Sequence, residues 1–491
     1  MTSRTTSSAL KPVTAAAALL AALTLAGCAS QGPQHPPLAQ LNAADLGLAA
    51  ATDKTAASDA TALSSSQWWT GLGDERLNQL IGQALAGNPS LAASNARFEK
   101  AAALATASST ASDVHGTLSA DATRQRYSAN GLFPPPLAGN IFNSGNLQAG
   151  LSWSPDFFGK HSADLEAALG QARAAKADGA AAANQLAAQV ARSYVGLARL
   201  LAQREVAERT LGQRQSLLSL SEQRTQAGLD SQVELTQAQA GMPDARTQIE
   251  MLDEQITLAR RTIAVLCAQA PEAQNALAPS LAALRIQPVP QVLGTDLLGR
   301  RPDVVAARWR VEAATRGIDS AKADFYPDVN LTAFVGLSAL GLDNVFQGSS
   351  RQLGITPALR LPIFDGKRLR AQLRGKQADL DTAIAQYNGA VLDAVKQAGD
   401  AIASVQSLDR QQKLQAESLS KAERAYDFAV QRYKAGLGNQ ITVLNTETQV
   451  ITQRRLAVDL QARELDTRVA LAAALGGGWS DDTQSVQAGG N

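Results

Sequence analysis

The chain repeats itself once over a long distance, and this limits its fold more than any other feature. A strand-like stretch, a Gly-Lys corner, a very long helical run and an Ala-Gly-Leu turn follow one another from Leu151 onward. The first copy reads Pro155, Asp156, Phe157, Phe158, Gly159, Lys160 and closes on Arg224, Ala227, Gly228, Leu229. The second reads Pro362, Ile363, Phe364, Asp365, Gly366, Lys367 and closes on Arg432, Ala435, Gly436, Leu437. The offsets agree within one residue, 366 − 159 = 207 at the corner and 436 − 228 = 208 at the turn. Solenoid units repeat at about 20–50 residues. A period near two hundred reads instead as one duplicated unit built from strands and a helix.

The helical part is extreme. The run from Lys160 to Gln226 carries Leu186, Val190, Tyr194, Leu197 and Leu201 at steps of four, four, three and four. At 1.5 Å per residue such a helix measures ~100 Å, several times the width of a compact domain. The matching run from about Lys367 to Lys434 has Leu380, Ile384, Tyr387, Val391 and Val395 on one stripe. Shorter return helices are expected over about Ser231–Cys267 and Gln440–Leu475, the last stopped by Gly476, Gly477 and Gly478. Aromatic residues make up only 4% of the chain, so these stripes are built from small and aliphatic side chains that allow close helix packing.

Four stretches alternate with period two. Val114, Gly116, Leu118, Ala120 and Ala122 interleave with polar neighbours. So do Leu147, Ala149, Leu151 and Trp153, then Val329, Leu331, Ala333, Val335 and Leu337, then Leu353, Ile355, Leu359 and Leu361. Each reads as a strand of about ten residues with one apolar face, the length a tilted strand needs to cross a bilayer. A soluble sandwich would give the same pattern. Four strands cannot close a membrane barrel, which needs about eight, and open edges are not tolerated in lipid. If these strands span a membrane, several copies share one barrel. Before them, helices are expected from Trp68 to Leu85 and from Ser90, as its N-cap, to about Ser112. A further helix follows Leu297–Asp303, with Pro302 in its first turn.

The amino terminus supplies context. Arg4 and Lys11 precede an apolar run from Ala15 to Leu25, followed by Leu25, Ala26, Gly27, Cys28. This is an export signal, and its last four residues resemble a bacterial lipobox, which implies cleavage before Cys28 and a lipid on that residue. Ala29 follows, where an Asp would resemble an inner-membrane retention signal, so the outer membrane is the expected address. Charge is balanced at 45 Lys+Arg against 44 Asp+Glu, which gives no electrostatic case for nucleic acid. The histidines, His35, His115 and His161, are scattered, no metal or nucleophile motif is present, and carboxylates spread along helix faces as solvated pairs. No catalytic residue, no metal site and no cofactor other than the lipid is expected. Cys267, beside Ile263, Val265 and Leu266, reads as a small buried hydrophobe.

Taken in order, the pieces resemble a TolC-type outer membrane factor, in the lipoprotein branch that serves multidrug efflux. The matching residues are Trp68-Trp69, Asn88 to Leu91, Asp156 to Lys160, Leu297 to Val304, Phe325 to Pro327, Leu361 to Gly366, Tyr433 to Gly436 and Leu475 to Trp479. The resemblance implies a mainly α chain with a four-stranded β contribution. It implies a homotrimer with a 12-strand outer-membrane barrel continuous with a periplasmic helical barrel. It also implies a passive duct that meets a periplasmic adaptor and an inner-membrane pump of the RND type, with outer-membrane lipid around it. A type I protein secretion duct shares this fold, and a pore-free lipoprotein scaffold is the alternative from another class.

The expected division begins with a signal peptide at 1–27, a lipid-anchored extension at 28–66 and short helices at 67–112. The first β-hairpin takes 113–158 and the first long helical hairpin 159–269, with a connection at 270–295. The second copy has a short helix at 296–326, a β-hairpin at 327–365, a long helical hairpin at 366–475 and a tail at 476–491. By the resemblance, adaptor docking falls on the turns, at Arg224, Ala227, Gly228, Leu229, Arg432, Ala435, Gly436 and Leu437. The tip constriction falls on Thr442 and Asn445, with Gln237 in the matching place of the first copy. The family usually carries acidic residues there. Thr and Asn neither titrate nor attract cations, so a closed tip is expected to be held by packing and amide hydrogen bonds.

Overall fold

The computed structural model describes residues 36–41, 67–285 and 300–479. The export signal, Cys28, most of the extension, Leu297 to Gly299, the connection past 285 and the tail past 479 lie outside the described residues. Among the described residues the helices are α1 (Glu75–Gly87), α2 (Pro89–Ser109), α3 (Lys160–Gln226), α4 (Gln232–Leu266), α5 (Pro302–Ala323), α6 (Gly366–Lys434) and α7 (Gln440–Ala474). The strands are β1 (His115–Arg126), β2 (Ile141–Trp153), β3 (Asp328–Leu340) and β4 (Arg351–Arg360).

Helix boundaries follow local chemistry. Ser231 and Glu234 form a reciprocal capping box at the start of α4, and Asn439 caps α7 by accepting from the Thr442 amide. Pro302 opens α5 at its first position, where its missing N–H costs nothing. One expected cap is corrected. Helix α2 begins at Pro89, and Asn88 caps it, its Oδ1 accepting from the Ser90 amide at 2.9 Å. Asn and Ser both suit a cap, but Pro89 at the first helical position moves the cap one place earlier. The second strand also starts earlier than its alternation suggests, at Ile141 instead of Leu147. Its first residues, Ile141 to Asn146, are recruited by pairing with β1, from Arg126 down to Asp121. Their Asn, Ser and Gly content hides them as loop.

The sheet is antiparallel in the order β1-β2-β3-β4, so each hairpin is a pair of neighbours and β2–β3 joins the two copies. The register aligns Leu118 with Ala149, Ala149 with Val335 and Val335 with Leu353. One apolar face therefore runs unbroken across four strands, and it is bare: Leu118 is 77% and Leu353 80% exposed. The other face is polar, with Gln352 donating to Asn146 at 3.0 Å and Asn146 to Asp121 at 3.2 Å. Both edges, on β1 and β4, lack a partner strand among the described residues.

The chain divides into two compact units that are not consecutive segments. One gathers the sheet with the first residues of α3, the greater part of α5 and the first residues of α6. The other gathers α1, the rest of α3 and α6, and all of α4 and α7. The long helices α3 and α6 each contribute to both units. The core of the second unit packs Trp68, Leu77, Leu80 and Ile81 against Tyr194 and Leu197 of α3, Ile263 of α4 and Leu471 of α7. A fully buried residue of this size contributes about 1.5–3 kcal/mol. Two motifs serve this packing. Trp68 donates its indole N–H to Asn184, and Arg301 reaches the Ala474 carbonyl at 2.9 Å while paired with Asp303 at 2.7 Å.

Candidate functional site at the helix-to-helix turns

The two turns that end α3 and α6 share one backbone solution. At the first, the Leu229 amide donates to the Arg224 carbonyl and the Gly228 amide to Thr225. At the second, Leu437 donates to Arg432 and Gly436 to Tyr433. This six-to-one and five-to-two pairing requires a left-handed residue, and Gly228 (φ 70°) and Gly436 (φ 74°) supply it without Cβ strain. Beyond the glycines the turns present apolar side chains to solvent, Leu229 at 65% and Leu437 at 71% exposure, flanked by exposed Ala227 and Ala435. Val233 and Ile441 extend this surface and are not marked by the turn motif.

The two arginines part company. Arg432 is exposed and donates to the Leu437 carbonyl at 3.1 Å. Arg224 turns inward. It forms a two-pronged ion pair with Asp230 at 2.9 and 3.1 Å, donates to the Tyr433 carbonyl at 3.0 Å, and lies 4.6 Å from the centre of the Tyr433 ring. The Tyr433 hydroxyl donates to Asp230 as well. Three groups thus tie the first turn to the helix of the second copy, and Arg224 belongs to the tie more than to the outer surface. Burial alone would raise Asp230, but Arg224 and Tyr433 outweigh it and hold the carboxyl below the ordinary value. Burial, with the bond to Asp230, pushes the Tyr433 hydroxyl up to about 12.

The residues expected at the constriction lie just past the second turn and its counterpart. Thr442 joins the α7 cap, its amide and hydroxyl both donating to Asn439 Oδ1 at 2.9 and 2.7 Å. Asn445 and Gln237 are exposed.

Behind the turns the helices enclose polar groups. A small core of Leu217, Ala429, Tyr433 and Val443 is followed on α7 by the buried carboxylate of Glu447. Arg214 approaches it at 3.4 Å and spends another N–H on the Gly241 carbonyl at 2.7 Å. Among the described residues, Glu447 Oε1, Ser221 Oγ and both side-chain amide atoms of Gln440 have no hydrogen-bond partner. Burial pushes Glu447 upward, and Arg214 offsets only part of it. Carboxylates expected as solvated pairs are therefore corrected here: Glu447 and Glu464 lie on inward stripes. The spacing Gln440, Val443, Glu447, Val450 is the readable sign, since it places Glu447 on the same helix face as Val443 and Val450. Cys267 is buried at the end of α4 and donates to the Leu80 carbonyl at 3.4 Å.

A single bare apolar sheet face, two edges open among the described residues and helices of 67 and 69 residues define a wall component of a membrane duct. The chain belongs to the outer membrane efflux protein family, whose model matches residues 80–269 and 293–477. It is 40% identical over 385 residues to the fusaric acid resistance protein FusA of Burkholderia cepacia, covering 76% of this chain and 71% of that one. It is 33% identical to the multidrug resistance outer membrane protein MdtQ of Escherichia coli O6:H1, over 84% of this chain and 88% of the relative. Among solved structures it is similar to the outer membrane protein VceC of Vibrio cholerae. That match has a TM-score of 0.80 at 33% identity, covering 85% of this chain and all (100%) of that one. The outer-membrane channel OprN gives a TM-score of 0.79 at 26% identity, over 91% and 99% of the two chains. The protein is accordingly an outer membrane efflux channel with a β-barrel in the membrane and a helical body in the periplasm.

Proposed function

We propose that three copies close the barrel and the helical tunnel, and that the assembly is the passive exit duct of a tripartite system. The observation that carries this is the sheet, which among the described residues has four strands, one bare apolar face and two free edges. Closure pairs β4 of each copy with β1 of the next, which leaves no backbone group unpaired in lipid. A lipid on Cys28 anchors the chain. The periplasmic adaptor docks on the exposed turn surfaces at Leu229 and Leu437, with Ala227 and Ala435 giving it a flat approach. An RND-type inner-membrane pump supplies drugs or other small toxic compounds, and the duct performs no chemistry.

The passage narrows at Thr442, Asn445 and Gln237. With no carboxylate among these three, the closed tip shows weak cation preference and is held by packing and amide hydrogen bonds, with the Arg224–Asp230–Tyr433 tie bracing the first turn. Planar-bilayer recording of the purified protein is the test. Conductance from a species that migrates as a trimer before heating and a monomer afterwards supports the duct. A monomer that conducts nothing would sink it. Leu229→Cys and Leu437→Cys should crosslink to the adaptor. A strong cation preference that disappears on mutating some other tip residue would mean the constriction lies elsewhere.

A further inference from the structure

The outward face of the sheet does not end as it begins. Even-numbered residues of β1 share the apolar face, from Gly116 through Leu118, Ala120 and Ala122, and the next two are Arg124 and Arg126. On β4, Leu353 and Ile355 lie on this face, and the preceding residue of the same parity is Arg351, which pairs with Leu337. All three arginines are exposed and carry no ion pair among the described residues. The one acid in the outer halves of these strands, Asp121, lies on the opposite face, bonded to Asn146.

Their depth follows from strand length. β4 has ten residues, within the about nine to eleven that cross the hydrocarbon layer when tilted, so Arg351, its first residue, falls at the outer boundary. On β1 the outward apolar run stops at Ala122, which marks the same boundary independently.

The loop joining β3 to β4 lies over this region. Gly341 donates to the Asn143 carbonyl at 2.7 Å. A Cβ on Gly145 would stand 2.6 Å from Val345 and 3.1 Å from Leu342. Gly145 pairs with Ala122 and Ala339 on the outward face, so the loop folds onto the lipid side and not over the mouth. Its Phe346, 80% exposed, adds aromatic surface.

We propose that this rim is a binding site for the phosphorylated glucosamine headgroup of the outer-leaflet glycolipid. The arginine forks take the phosphates in pairs of hydrogen bonds, and the acyl chains lie along Leu118, Leu353 and Ile355. Leu342 and Phe346 of the folded loop wedge between chains at the headgroup level. The proposal rests on the trimeric channel reading, in which Arg351 of one copy stands beside Arg124 and Arg126 of the next and completes the site. An inner-leaflet phospholipid meets the opposite end of the strands and would not reach it.

Purified protein in detergent is mixed with bisphosphorylated lipid A, its dephosphorylated form or phosphatidylglycerol, and bound lipid is counted by native mass spectrometry. Wild type should retain bisphosphorylated lipid A preferentially. The R124Q/R126Q/R351Q variant should bind it roughly tenfold or more weakly, since each loses charge-assisted bonds. R351Q alone should show a smaller loss, and it serves if the triple variant does not assemble. Trimer migration and conductance are read on the same samples. Equal binding of the phosphorylated lipid by wild type and the Gln variants overturns the proposal. So does wild-type binding of the dephosphorylated lipid or phosphatidylglycerol at the same strength. Loss of conductance in wild type would instead strike the channel reading, which the lipid counts do not decide.

Discussion

Asp230 and Glu447 are carboxylates of the same small bundle, and their surroundings push them in opposite directions. Asp230 has a side chain only 8% exposed, yet Arg224 and Tyr433 hold it below its ordinary value. A depressed acid stabilises the fold above its unfolded value of 3.8, and that contribution is lost as pH falls through the lower folded value. Asp230→Asn should therefore cost the same at pH 7 and pH 5, about 1.5–3 kcal/mol for a lost charged hydrogen bond. Hydrogen exchange across the first turn would register it, with faster exchange from 224 to 232. Glu447 is raised above 4.5 by burial, so its charged form is the unfavourable one. Stability should climb as pH falls from neutrality through that raised value, and Glu447→Gln should flatten the slope. Thermal melts between pH 7 and 5 would show it, and an unchanged slope in the Gln variant would assign the effect elsewhere. Both groups contact partners distant in sequence, Tyr433 being 203 residues from Asp230. The turn motif marks Arg224 as a surface residue because only the fold brings that second copy alongside. The asymmetry itself is readable: Gly438 stands where the first copy has Asp230, which leaves Arg432 without an acid.

At the scale of elements, the ends of the long helices are legible because they rest on local signals. The Gly-Lys corner, the capping serine and the turn glycines act within a few residues of the boundary. The start of β2 is not legible, since Ile141 to Asn146 become strand only through pairing across the hairpin. Glycines inside elements are equally opaque. Gly336 and Gly196 look alike in sequence. A Cβ on Gly336 would stand against the Leu147 carbonyl and 2.8 Å from Gln148 Cα, both backbone, whereas one on Gly196 meets nothing within 4 Å. Gly336→Val should force β2 and β3 apart and reduce the heat-resistant trimer by more than half, an overpacking penalty of about 1–3 kcal/mol or more. Gly196→Ala should leave trimer yield unchanged and stabilise α3 slightly, by about 0.5–1 kcal/mol at most. Densitometry of unheated samples separates the two.

For the whole molecule, the decisive property is that the outer edges of β1 and β4 have work to do only when another copy is present. Successive residues of an edge strand point their N–H groups alternately toward the partner strand and toward the open side. In a self-contained soluble sheet, proline at the open-side position removes nothing and is tolerated, while at its neighbour it breaks a ladder bond. In a barrel shared among copies both positions face a strand. Ser119→Pro and Ala120→Pro, adjacent on β1, are therefore a matched pair. A sheet complete in itself predicts that one of the two assembles normally. Closure between copies predicts that both fail, because an unpaired group at membrane depth costs several kcal/mol and is repeated at every seam. Both variants should still show helical circular dichroism, since the second unit buries its own core on Trp68, Tyr194 and Leu471 without the sheet. Neither should yield heat-modifiable trimer or conductance. One variant that assembles and conducts like wild type would mean that the edge of β1 is not a seam.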